Sequence, residues 1–128
     1  MIHEEICTYE VCKLAKEKGF DEHPPMYFHS GVKSNLREVG SNGANPNNIP
    51  YSPHISCPTQ TQLQRWLREE KNIHIVVFPN LRNSYEYDWI VYIKGVECWL
   101  PTYSALNEFP TYELALEDSL KYALENLV

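Results

Sequence analysis

The residues that could do chemistry in this chain are five histidines, four cysteines and one closely spaced pair of acids. His54 and Cys57 stand at an interval found among zinc ligands, whereas Cys7 and Cys12 are spaced wrongly for a knuckle and no C-x-x-C occurs. The four cysteines, Cys7, Cys12, Cys57 and Cys98, read as reduced, mostly buried thiols, and the remaining histidines, His3, His23, His29 and His74, as surface imidazoles. Cys57 as a nucleophile would need His54 or His29 as its base, with the preceding stretch folded over them, and no G-x-S-x-G turn is present. Glu86 and Asp88 lie two apart in a strand-like stretch and so share a face, as an acid pair would. Solvent-facing carboxylates on a strand are commoner, and no glycine-rich phosphate loop accompanies them. The expectation is therefore no catalytic residue, no bound metal and no cofactor.

Two binding chemistries remain. Gln60, Gln64, Arg65 and Arg68 fall on the polar side of a helix that runs into strands, an arrangement resembling the helix and wing of a winged helix-turn-helix. No second helix precedes it at a three- or four-residue turn, and the net charge of -6 opposes non-specific phosphate binding. The charge is uneven. Arg65, Arg68, Lys71 and Arg82 face only Glu69 and Glu70 between 56 and 84, while residues 85 to 128 hold eight acids against Lys94 and Lys121. Aromatic residues concentrate in the same half: Tyr85, Tyr87, Trp89, Tyr92, Trp99 and Tyr103 could stack on bases or nucleotides. They could equally anchor a protein interface, with Tyr85, Tyr87, Tyr92, Trp99 and Tyr103 as its aromatics.

These residues need a scaffold, and the chain supplies its punctuation. Thr59 followed by Gln62 has capping-box spacing, and Leu63, Trp66, Leu67 and the stem of Glu70 then form one stripe that Asn72 can end in a left-handed turn. Thr8 caps an earlier helix in which Cys7 and Cys12 take the positions of a hydrophobic staple; Gly19 and Phe20 fit a Schellman stop near Lys18. Residues 2 to 7 read as an extended lead-in, and Met26 to Ser30 as a short strand. Ile73, Ile75 and Val77 alternate with His74, Val76 and Phe78. Tyr85 to Ile93 alternates best of all, Lys94-Gly95 suits a hairpin turn, and Val96 to Leu100 returns until Pro101 stops it. Thr111 caps a last helix with Tyr112, Leu116, Leu120, Ala123, Leu124 and Leu127 on its buried face and a Glu117–Lys121 pair outside; Leu114 falls off that face.

At 128 residues the chain is expected to be a single domain that folds without disulfides or metal. Residues 31 to 56 form a long irregular loop in this reading, rich in Gly, Pro, Asn and Ser, with room for a short edge strand. The longest apolar run, Ile75 to Phe78, is too short for a membrane span, and His3, Glu4 and Glu5 stand where a secretory signal would be basic, so a cytoplasmic protein is expected. The fold class is α+β: three helices on a small, mainly antiparallel sheet of three or four strands.

TYEVCKLAKEKGFDE (8–22), PTQTQLQRWLREEKNIHI (58–75) and TYELALEDSLKYALENLV (111–128) resemble the signature stretches of a family of small proteins encoded in phages, prophages and mobile elements of anaerobic gut bacteria. The resemblance covers about 40% of the chain and includes no catalytic motif; Leu114 stands where such helices have Glu. It implies an accessory or host-takeover protein. The expectation is a non-enzymatic module that binds a host or phage protein; the alternative is a nucleic-acid or nucleotide binder, including a nucleotide-sequestering anti-defence protein.

Overall fold

A computed structural model describes residues 5–40, 45–49, 52–80, 86–94, 99–104 and 109–128, with 99–104 described by their backbone. The chain divides into two compact units, Met1–Gln62 and Leu63–Val128.

In the first unit, helix α1 (Tyr9–Glu17) starts where the Thr8 hydroxyl accepts the Val11 N–H. It ends in a full Schellman motif. Gly19, at φ +94°, donates to the Lys16 carbonyl, and the Phe20 N–H donates to the Ala15 carbonyl at 2.9 Å. Cys7 and Cys12, the expected staple, are both buried. The sheet has β1 (Met26–Phe28) at its centre, with β2 (Leu36–Glu38) and β3 (Ile55–Cys57) antiparallel on its two sides. Helix α1 packs against β3. The lead-in is extended and bridged: Cys7 N–H donates to the Pro58 carbonyl and Gln60 N–H to the Glu5 carbonyl.

Residues 31 to 56 are therefore not one irregular loop. They contain the edge strand β2, a 3-10 turn at Pro46–Asn48 and the start of β3. Much of the stretch between is fixed by side chains bonded to main chain. Asn47 donates from Nδ2 to the Phe20 carbonyl at 2.9 Å, accepts the Ser56 N–H on Oδ1 at 2.9 Å, and donates its own N–H to the Ser56 hydroxyl at 3.2 Å. Lys16 Nζ donates to the Ser52 and His54 carbonyls, and Asn45 Nδ2 to the Asp21 carbonyl.

Helix α2 (Gln60–Lys71) starts at Thr59, whose hydroxyl accepts the Gln62 N–H at 3.1 Å. The Gln62 amide, expected back at the cap, donates instead to the His23 carbonyl. Leu63, Trp66 and Leu67 are buried while Arg65, Arg68, Glu69 and Glu70 are exposed. Asn72, at φ +56°, ends the helix.

The second unit continues as a meander of β4 (Ile73–Pro79), β5 (Tyr87–Lys94) and β6 (Trp99–Ser104). The expected turn from Gly95 lies outside the described residues. Strand β6 runs through Pro101 instead of stopping there. It is an edge strand, and its register against β5 shifts by one residue between Val91 and Tyr92, conditions under which a missing N–H is tolerated. Helix α3 (Tyr112–Asn126) packs on β4 and β5, with the Thr111 hydroxyl accepting the Leu114 N–H. Its buried face carries Ala115, Leu116, Ser119, Leu120, Ala123 and Leu124. Tyr112, expected on that face, is 41% exposed, and Leu114 is exposed as its position suggested. On the outside, Lys121 meets Glu125 at 3.8 Å. Trp89 is 1% exposed; its indole N–H donates to Asp118 Oδ2 at 3.0 Å and its ring lies 5.4 Å from that of Tyr122.

The fold is α+β with three helices and antiparallel strands, and the strands form two three-stranded sheets, not one. No helix among the described residues is long and apolar enough to cross a membrane.

Asn47→Ala removes two partners of otherwise satisfied main-chain groups and is expected to lower unfolding free energy by about 2 kcal/mol. Asn48→Ala, at an exposed neighbour, should change it by less than about 0.5 kcal/mol. Urea midpoints at constant m-value measure the difference.

Candidate functional site

The register of β4 against β5 sorts their side chains into two faces. His74 pairs with Tyr92, Val76 with Ile90 and Phe78 with Asp88, so these side chains and Lys94 share one face, while Ile73, Ile75, Trp89 and Val91 share the other. The second set is buried, and α3 packs on these two strands. On the first face Val76 is 45% exposed, Lys94 is exposed, and His74, Phe78, Ile90 and Tyr92 are half-buried.

A cationic edge adjoins this apolar centre. Burial, then the charges of Arg68 and Lys94, hold the His74 imidazole below the ordinary histidine pKa. Arg68 reaches it from the exposed side of α2, which the left-handed Asn72 turns back toward β4. Among the described residues neither Arg68 nor Lys94 has an ion-pair partner. The arrangement can take an anionic group beside an apolar one.

The residues expected on a nucleic-acid face divide. Arg65 and Arg68 are exposed. Gln60 is 4% exposed and does not belong to that face, because the first turn of α2 is covered by the bridge between Ile6 and Thr59. The Gln64 amide donates to the Ile75 carbonyl at 3.1 Å. Of the expected interface aromatics, Tyr92 lies on the mixed face. Tyr87 exchanges both main-chain bonds with Phe109 and sets its ring edge-on to Tyr112 at 6.1 Å. Tyr85 lies outside the described residues, as do the side chains of Trp99 and Tyr103. The period of two marks His74 and Val76 as sharing one side of their strand and Ile90 and Tyr92 one side of theirs; that the two sides coincide needed the register, and that Arg68 adjoins His74 needed the turn between helix and strand.

The other candidates do not assemble. The buried Cys57 thiol donates to the Cys7 carbonyl at 3.4 Å, as does Cys12 at 3.7 Å, while His54 Nδ1 accepts the Ser30 N–H. Among the described residues no group of three or more His, Cys, Asp or Glu side chains is placed to hold a metal ion. Asp88 Oδ1 turns back onto the Trp89 N–H at 2.7 Å. Comparison with protein-family models, with curated proteins and with solved structures gives no match.

Arg68→Ala and Lys94→Ala should each raise the His74 pKa toward about 6.5, read from the imidazole Cε1–H resonance across pH. Because the folded-state value lies below the unfolded one, the unfolded chain takes its proton first as pH falls. His74 thus favours the fold above about 6.5 and that contribution is lost on acidification through this range, less so in either variant.

Proposed function

We propose that this chain is a non-enzymatic binding protein, an accessory protein of the phage or prophage kind that its three resembling stretches imply, which holds a partner protein on the mixed face of β4 and β5. The supporting observation is the exposed Val76 amid Phe78, Ile90 and Tyr92, edged by Arg68, His74 and Lys94. An apolar centre with a charged rim is the usual anatomy of a protein interface, and a tyrosine whose ring is already partly ordered is an inexpensive anchor. The cations select an acidic segment of a host or phage protein, and such a meeting would take place in the cytoplasm.

A second reading is favoured by one observation, the exposure of Arg65 and Arg68 on α2, the latter beside His74 with Lys94: single-stranded nucleic acid could be held by its phosphates, with one base stacked on Tyr92. The negative total charge weighs against it.

Val76→Glu should leave the thermal unfolding curve nearly unchanged and weaken a stoichiometric protein partner, purified from the native host after nuclease treatment, by at least about tenfold in calorimetry. If instead single-stranded DNA is retained in a salt-dependent way and lost in Arg65→Ala with Arg68→Ala, the second reading replaces the first.

A further inference from the structure

The turn that follows β1 is held in an unfavourable shape. Ser30 has φ +54° and Gly31 φ +68°, the left-handed region that a β-carbon disfavours. A Cβ on Gly31 would stand 2.9 Å from the Pro53 carbonyl oxygen, so the turn is pressed against residues 52–54. Two side chains fasten it there. Tyr9 Oη donates to the Gly31 carbonyl at 2.9 Å, and the Ser30 N–H donates to His54 Nδ1 at 2.8 Å. His54 is itself anchored by its main chain: its N–H donates to the Ser52 hydroxyl at 3.2 Å, and its carbonyl accepts Lys16 Nζ at 2.7 Å. The imidazole is then fixed with Nδ1 as acceptor, so the neutral ring carries its proton on Nε2.

We propose that His54 is a proton-operated clasp: neutral, it holds the 29–31 turn against residues 52–54 through the Ser30 N–H, and protonated at Nδ1 it releases that turn. Addition of a solvent proton to Nδ1 converts the acceptor into a donor, and the Ser30 N–H must then find water. The backbone strain at Ser30 favours release once the bond is gone.

The groups facing His54 do not offset the new charge. From the turn itself comes His29, whose ring centroid lies 4.6 Å from that of His54 at a tilt of 33°. From β1 comes the edge of Tyr27 at 5.3 Å, and from α1 the Lys16 ammonium on the His54 carbonyl. Arg37 of β2 acts on His29, whose pKa is lowered by burial, then by Arg37 and by His54. On α1, Glu10 is paired with Lys33 at 3.2 Å. Among the described residues the charges that act on His29 are those of Arg37 and His54, so a proton on His54 sets like charge beside the other ring and drives the two apart.

The turn also carries the β1–β2 connection, since His29 N–H donates to the Asn35 carbonyl and Asn35 N–H to the Val32 carbonyl. Release would therefore loosen the edge strand β2 and bare the edge of β1. This inference is independent of the binding face proposed above.

The test is amide hydrogen exchange and imidazole NMR on the 15N,13C-labelled full chain between pH 8 and 4.5. After correction for intrinsic exchange, protection at Ser30 and at Arg37, the β2 residue whose N–H faces β1, should fall at least about tenfold in step with His54 protonation, while Ile55–Cys57 keep theirs. In His54→Asn the amide oxygen stands where Nδ1 does and can accept the same bond but does not titrate, so protection at Ser30 should persist to low pH. Protection that stays constant while His54 titrates, or that falls with the same midpoint in His54→Asn, would overturn the proposal.

Discussion

Asn47 carries out in the first unit what a hydrophobic period does in most small sheets. Main-chain groups in a stretch without regular structure still need partners, and strands of three residues supply few of them. By bonding Ser56 on both its N–H and its hydroxyl and Phe20 on its carbonyl, Asn47 joins the exit of α1 to the entry of β3. That is why Ser56 can be wholly buried with its polar atoms satisfied. Lys16 adds a second tie from α1, to the Ser52 and His54 carbonyls, at the cost of drawing its own pKa down by burial. The third strand is thus positioned by polar geometry, with packing of α1 laid over it.

This explains which parts of the fold were legible in the sequence. The helix starts at Thr8, Thr59 and Thr111 and the stop at Gly19 are local chemistry: each depends on residues within about one turn, and each is where the spacing put it. The β4–β5 pair was legible because seven paired residues show a period of two. Strands β2 and β3 were not, because three residues cannot show a period and their partners lie across the chain. Gln60 misled for the same reason. Its place on the polar side of the helix is correct locally, but the extended lead-in, bridged from Ile6 to Thr59 and accepting the Gln60 N–H at Glu5, covers that first turn. Pro101 was misread because its tolerance depends on β6 being an edge strand with a register shift, a fact of the sheet and not of the sequence around it.

The candidate face shows a similar split. Alternation groups His74 with Val76 on one strand and Ile90 with Tyr92 on the next, while the register joins the two sets and leaves Trp89 on the buried side, where Asp118 receives its indole N–H. The approach of Arg68 to His74 is set by the left-handed Asn72, one residue whose conformation decides how a helix returns onto its following strand. A positively edged patch on a chain of net charge -6 is consequently a tertiary product.

The outer edge of β4 offers less to a partner than the face does. Lys94 N–H donates to the Asn72 carbonyl, which directs the main chain of His74 and Val76 toward β5 and that of Ile75 and Val77 away from it. Gln64 already occupies the outward carbonyl of Ile75, and Pro79 has no N–H to give, so strand addition there is blunted from both ends. A partner is left with side chains rather than main chain. Arg68 and Lys94, being exposed, would add little affinity of their own and would act mainly on encounter rate and on choice of partner. Affinity would have to come from desolvating Val76, Ile90 and Tyr92, which is why a charge placed at Val76 should be felt more strongly than the loss of either cation.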